Sequence, residues 1–325
     1  MVVKLLYSKK EEKIMDPILL AIIIVVSVLL VIIFSLSYVC YVIVFKSRRP
    51  KVKEEYPTPG GEEYDPYREE MVEWIKKVDK IPYKEVEITS YDGLKLRGKY
   101  FEYSKDAPIE ILVHGYRGNA RRDLSAGVAR SFEIGHSALL VDQRGSGESE
   151  GRQLTFGIKE KRDVIKWIDF VINEINKDAK IILTGMSMGA ATVLMCAGME
   201  LPKNVIGVLA DCGYSTNKEI ISKVARGFNI PIKLIYPIIK LGALIFGGFR
   251  LDSDSPYEAV QRARVPIIFF HGNSDNFVPC EMSEKNYNAC TSEKKRLVII
   301  DGAIHGTCYP KDRVKYVEEL KEFFK

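Results

Sequence analysis

The chain has 325 residues, 46% hydrophobic and 28% charged, a balance that excludes a disordered polymer and leaves room for one large α/β domain plus an appendage. Its net charge of +5 arises from 48 basic and 43 acidic residues mixed along the sequence, which argues against a nucleic-acid-binding surface. The six cysteines lack metal-ligand spacing and suggest no disulfide framework, so no metal is expected and a reducing compartment is slightly favoured.

After an N-terminal tail (1–16), residues 17–45 carry no charge and consist almost wholly of Ile, Leu, Val, Phe and Ala. That run exceeds the roughly 20 residues needed to cross a bilayer, so it is expected to be a transmembrane helix. It is too long for the apolar region of a cleavable signal peptide, and no small-x-small cleavage site follows. The surplus length is expected to be absorbed by tilt or by an interfacial last turn bearing Ser35, Ser37, Tyr38 and Tyr41. Lys46, Arg48, Arg49, Lys51 and Lys53 follow the helix, while Lys4, Lys9, Lys10 and Lys13 precede it. The positive-inside bias is slight and leans toward a cytoplasmic domain, more clearly if translation starts at Met15 instead of Met1.

Residues 46–67 are charged, contain Pro and Gly and lack apolar periodicity, as a flexible juxtamembrane linker would. Met71, Trp74, Ile75 and Val78 then recur at helical spacing, which predicts a short structural helix over 69–80 at the start of a domain running over 68–325. Two alternating runs flank the turn Tyr91-Asp92-Gly93 and predict a hairpin. Beyond it, short apolar runs at 109–113, 138–141, 181–183, 205–210, 266–270 and 297–300 alternate with amphipathic stretches of helix length. This pattern predicts an α/β fold with a mostly parallel sheet, whose functional residues lie at the carboxyl ends of the strands. The apolar stretch 213–254 interrupts the alternation and reads as a helical lid insertion; an oligomer interface or a second membrane contact are the alternatives.

Gly185-Met186-Ser187-Met188-Gly189 follows the 181–183 run and precedes a helix-like segment, the strand–turn–helix setting of a nucleophile elbow. Ser187 needs a base, and the chain has four histidines. His305 follows the last expected strand and is the candidate base, with His114, His136 and His271 read as structural. The carboxylate that fixes the histidine tautomer is expected to be Asp275, with Asp211 and Asp301 as rivals. The backbone N–H groups of Met188 and of Tyr116, in His114-Gly115-Tyr116-Arg117-Gly118-Asn119, are the candidate oxyanion donors.

These motifs together resemble the α/β-hydrolase superfamily over nearly all of 83–324: the HGYRGN loop, the segment from Asp142 to Ser149, the GMSMG elbow, the Asp275-x-x-Val278-Pro279 loop and His305, in the family's order. Within it the pattern is similar to bacterial membrane-anchored hydrolases and the BEM46-like group. The resemblance implies ester, thioester or amide hydrolysis through an acyl-enzyme, without a cofactor. The expected substrate is a small-molecule carboxylic ester, acyl or lipid-derived; a peptidase or amidase, or an inactive membrane-tethered scaffold, are the competing readings. The expected partners are that substrate and a membrane, and no nucleic acid.

Overall fold

The computed structural model describes residues 16–49 and 54–325. The rest of the expected tail, the alternative start at Met15, and Lys51 and Lys53 lie outside these residues. Helix α1 (Pro17–Val44) is capped by the Asp16 carboxylate, which accepts the Ile18 N–H at 2.8 Å, and opens on a proline whose missing N–H costs nothing there. At 1.5 Å per residue it is about 42 Å long, and its length and apolarity suffice to cross a membrane.

The last two turns of α1 lay one side against the domain and leave Tyr38, Val39 and Ile43 exposed on the other. Ser37, Cys40 and Phe45 are buried against the domain, and Phe45 packs edge-on to Phe156 and Phe249. The chain after it is likewise fixed. Lys46 forms an antiparallel bridge with Gln153, the Ser47 N–H donates to Arg152 O at 2.9 Å, and the Leu154 N–H donates to Phe45 O at 2.8 Å. A flexible spacer was expected from residue 46; the described parts of 46–67 are instead tied to the domain, because aromatic and backbone partners distant in sequence receive them.

Helix α2 (Asp65–Val78) buries Trp74, Ile75 and Val78. It is followed by β1 (Lys84–Thr89), β2 (Lys95–Phe101), β3 (Ile109–Val113), α3 (Ala120–Glu133), β4 (Ser137–Val141), α4 (Glu160–Phe170), β5 (Ile181–Met186), α5 (Met188–Ala197) and β6 (Val205–Asp211). Then come α6 (Asn217–Gly227), α7 (Ile232–Ile245), α8 (Pro256–Val260), β7 (Ile267–Gly272), α9 (Glu281–Ala289), β8 (Lys295–Ile300), α10 (Cys308–Lys311) and α11 (Arg313–Phe323). The eight strands form one sheet in the order β1-β2-β4-β3-β5-β6-β7-β8, antiparallel only at β1–β2 and β2–β4.

Alternate residues of each central strand face opposite layers, as strand pleating requires. Ile111, Leu139 and Leu183 pack with Trp167, Ile168 and Val193 on one face. Leu112 and Leu140 pack with Leu124 and Val128 on the other. The direction of strand addition reverses at β3: the chain proceeds from β3 to β4 on one side, then returns through α4 to β5 on the other. Such a reversal opens a crevice at the carboxyl ends of the two diverging strands, here between the loops after β3 and β5.

One buried charge cluster braces this centre. Glu110 on β3 pairs with Arg130 and His136 and accepts the Thr184 hydroxyl at 2.8 Å. Burial alone would raise the Glu110 carboxyl, but Arg130, His136 and Thr184 outweigh it and hold it at about 2. Arg130→Met strands that carboxylate and should cost about 3–5 kcal/mol near neutral pH, seen as a lower melting temperature. Because the folded value lies below the ordinary 4.5, this stabilisation is complete above that pH and is lost as pH falls through about 2. The gap in melting temperature between wild type and variant should therefore narrow on acidification.

Candidate active site

Ser187 sits between β5 and α5 with φ 57° and ψ −118°, a left-handed conformation that a non-glycine residue holds only under strain. The turn closes only because Gly185 and Gly189, two residues to either side, lack side chains. A Cβ on Gly189 would lie 2.0 Å from the Val113 carbonyl oxygen, and one on Gly185 would lie 2.2 Å from that of Gly189. Strand β6 holds the turn in place, the Ser187 N–H donating to Asp211 O at 2.9 Å.

His305 reaches the serine from the loop after β8, its Nε2 2.9 Å from Ser187 Oγ. Its Nδ1 donates to Asp275 Oδ2 at 2.7 Å, which leaves Nε2 able to accept the serine proton. Asp275, in the loop after β7, accepts the Phe277 and Val278 N–H groups at 2.9 and 2.8 Å through Oδ1. Burial would raise the Asp275 carboxyl, yet the nearby His271 and the hydrogen-bonded His305 dominate and hold it well below the usual carboxylate range. The structure thus brings Ser187, His305 and Asp275 into one hydrogen-bonded chain.

The rivals lie elsewhere. Asp211 accepts the Tyr316 hydroxyl at 3.0 Å, and burial pushes its carboxyl up. Asp301 accepts the Asn273 amide at 2.8 Å. His114 is wholly buried: its Nε2 accepts the Gln143 N–H at 3.0 Å, so its Nδ1 donates to Gly115 O at 2.8 Å. His136 serves the Glu110 cluster.

Met188 heads α5, and Tyr116 lies in the adjacent loop after β3. Gly115 is pressed against the nucleophile, since a Cβ there would lie 3.5 Å from Ser187 Cβ. Among the described residues, neither the Tyr116 nor the Met188 backbone N–H has a protein acceptor. Two unoccupied donors beside a nucleophile can receive the negative oxygen of a tetrahedral intermediate.

Several participants were not legible in the sequence. His271 was read as structural, and its Nε2–H does donate to Val278 O at 2.8 Å, but it also lies 3.3 Å from Asp275 Oδ2. Tyr64 donates its hydroxyl to the His305 carbonyl at 3.0 Å. A cavity of 170 Å³ opens over Ser187 and His305, with Pro59, Tyr64, Met71, Trp74 and Phe277 among its apolar walls and the Arg122–Asp123 ion pair at one side. Met71 and Trp74 had shown helical spacing and were read as packing residues. None of the residues lining this cavity comes from 213–254, so the expected lid insertion does not cover the site. Helix α7 packs instead against α1, and α6 packs against α7. Cys212, Asp275 and His305 present ligand atoms within 4.8 Å of one another, but burial raises the Cys212 thiol well above its ordinary value and a neutral thiol is a weak metal ligand.

Two sequence profiles match the chain: that of the α/β hydrolase fold over residues 111–229, and that of serine aminopeptidase, S33, over residues 252–312. The chain belongs to the α/β-hydrolase superfamily. This α/β hydrolase is 28% identical over 242 residues to the uncharacterized protein YqkD of Bacillus subtilis, covering 73% of this chain and 77% of that one. It is 34% identical to the thiohydrolase aneE of Aspergillus aculeatus over 135 residues, 40% of this chain and 41% of that one. The Pyrococcus furiosus esterase Pf2001 superposes with a TM-score of 0.66 at 20% identity, covering 86% of this chain and 97% of that one. Est1E of Butyrivibrio proteoclasticus, solved with ferulic acid, gives 0.56 at 21% identity over 74% and 97% of the two chains. At these identities the structural likeness establishes the fold.

The elbow geometry is directly testable. Gly189→Ala places a methyl against the Val113 carbonyl and must reopen the turn. Folded variant, confirmed by its far-ultraviolet circular dichroism, should label with a fluorophosphonate at least about a hundredfold more slowly than wild type although Ser187 is retained.

Proposed function

We propose that this α/β hydrolase is a membrane-anchored serine esterase that cleaves small carboxylic esters through an acyl-enzyme. The observation that carries the reading is the hydrogen-bonded series Ser187–His305–Asp275 beside two unpartnered backbone N–H groups. Ser187 Oγ attacks the ester carbonyl carbon while His305 Nε2 takes its proton, and the developing oxyanion is received by the N–H groups of Tyr116 and Met188. Collapse of the intermediate expels the alkoxide, which leaves as an alcohol with the proton from His305. Water, deprotonated by the same nitrogen, then releases the acid. Asp275 holds Nδ1–H and stabilises the transient imidazolium.

The cavity narrows the substrate class. At 170 Å³ it is well below the roughly 300–1,000 Å³ of drug-sized ligand sites. That size supports a short acyl group over the lipid-derived chain expected from the anchor and the apolar insertion. Helix α1 is proposed to span the bilayer, with the domain on the cytoplasmic side as Lys46, Arg48 and Arg49 beyond the span favour. A peptidase or amidase is the second reading, favoured by the serine aminopeptidase, S33 profile, which covers both Asp275 and His305.

Full-length protein in detergent should hydrolyse p-nitrophenyl esters with its highest kcat/KM at short acyl chains, and Ser187→Ala should abolish both turnover and fluorophosphonate labelling. A long-chain optimum would refute the size argument, and matched amides cleaved as fast as esters would favour the peptidase. Asp275→Asn should lower kcat by about 10⁴ near neutral pH, because the histidine loses the acceptor that fixes its tautomer.

A further inference from the structure

The last carbonyls of an α-helix have no partner within the helix and must find donors elsewhere. At the end of α1 those donors come from the loop after β3. The Tyr116 hydroxyl donates to Val44 O at 2.6 Å, and the Arg117 guanidinium donates to Ile43 O. A cationic side chain at a helix C-terminus also meets the negative end of the helix dipole. Tyr116 and Arg117 follow Gly115, which abuts Ser187, and Tyr116 lines the cavity while its ring stacks obliquely on Phe156, 5.3 Å away. Phe156 in turn meets Phe45, the residue that caps α1. Arg117 holds a left-handed backbone, φ 54°, without being glycine, so this turn is strained and needs external restraint.

We infer that the C-terminal turn of α1 is a positioning element of the active site, setting the place of the Tyr116 backbone N–H by gripping the Tyr116 hydroxyl and the Arg117 guanidinium. The inference rests on the esterase reading, and it assigns the anchor a part in the reaction beyond tethering. The Tyr116 side chain and Arg117 act through the backbone donor and are positioning residues. The helix end is in turn set by α7, which crosses α1 at Gly242: a Cβ there would lie 2.3 Å from Ser37 O and 3.3 Å from Tyr41 Cβ. Gly242 does not line the cavity. A change at that glycine can reach the chemistry through the displacement of α1.

The test uses full-length protein in detergent, with active sites counted by fluorophosphonate labelling taken to completion. For wild type, Tyr116→Phe and Gly242→Ala, kcat and KM for a short-chain ester are measured per labelled site, together with inhibition by a trifluoromethyl ketone. That ketone forms an oxyanion adduct with the serine and reports the donor geometry. Both variants should lose kcat by about tenfold to a hundredfold with little change in KM, and should bind the ketone more weakly by the same factor. Tyr116→Phe retaining wild-type kcat and ketone affinity would overturn the inference, as would a loss confined to KM, which would make the hydroxyl a substrate contact. Gly242→Ala with fewer labelled sites, each at wild-type kcat, would reduce the helix contact to a folding role and overturn it too. If Gly242→Ala does not fold, Tyr116→Phe decides. Wild type that neither labels nor binds the ketone would remove the esterase reading itself, an outcome distinct from active wild type with unaffected variants.

Discussion

The arrangement of the site depends on one strained residue. Ser187 can stand in a left-handed conformation only if β5 and α5 approach so closely that a methyl on either flanking glycine would strike backbone. That approach buries every residue of α5 and presses it onto the sheet. Helix α5 is correspondingly rich in small residues, Gly189, Ala190, Ala191 and Ala197 among them, and the buried N-terminus of the helix presents the Met188 N–H next to the nucleophile. Once the elbow is closed, parallel register with β3 and β6 decides which loops stand beside it. Val113 pairs with Gly185 and Asp211 with Met186, so the loop after β3 and the end of β6 flank the serine.

The same geometry explains why the N-terminal helix belongs to the domain as much as to a membrane. About 20 residues of α1 suffice for a bilayer, and the remaining turns bury Ser37 and place Cys40, with Phe45 after the helix, in a cluster that also contains Met188, Phe156 and Tyr236. The inserted helices receive it: Phe246 lies edge-on to Phe34 and Tyr38 at 5.0 and 5.1 Å, and Gly242 lets the two helix backbones meet. An insertion that sequence alone suggests as a cover over the site therefore serves as the seat of the anchor. The cavity is walled instead by residues that precede β1, Tyr64 before α2 and Trp74 within it.

Much of the fold was legible because its signals are local. Alternating apolar runs announced the strands, Tyr91-Asp92-Gly93 announced the hairpin, and the glycines around Ser187 mark a turn that tolerates no side chain. The candidate site was legible to the extent that each member stands at a strand's carboxyl end. What could not be read was pairing between distant segments. Tyr41 donates to Gln153, Tyr116 to Val44 and Tyr64 to His305 across 112, 72 and 241 positions, and nothing in the pattern around these tyrosines names the distant acceptor of the hydroxyl. The charged composition of 46–67 suggested solvent on every side, although Tyr64 is held inside by a single backbone acceptor and apolar walls.

The choice between Asp275 and Asp211 shows the same limit in its sharpest form, since both stand at carboxyl ends of strands of the same sheet and both are buried. A buried carboxylate stays ionised only where enough donors replace its lost water. Asp275 has the Phe277 and Val278 N–H groups, His305, and His271 close by, and its carboxyl is held low; Asp211 has Tyr316 and the Cys308 thiol, and burial leaves its carboxyl raised. His271 completes the distinction without any charge of its own being required. Its Nε2–H must face the Val278 carbonyl, since a carbonyl can only accept, and its Nδ1 then accepts from the Ser283 hydroxyl at 2.6 Å. His271 thereby pins the Val278 end of the acid loop, the Phe277 and Val278 N–H groups point at Asp275 before any substrate arrives, and a negative charge so fixed favours the imidazolium that proton transfer from Ser187 creates.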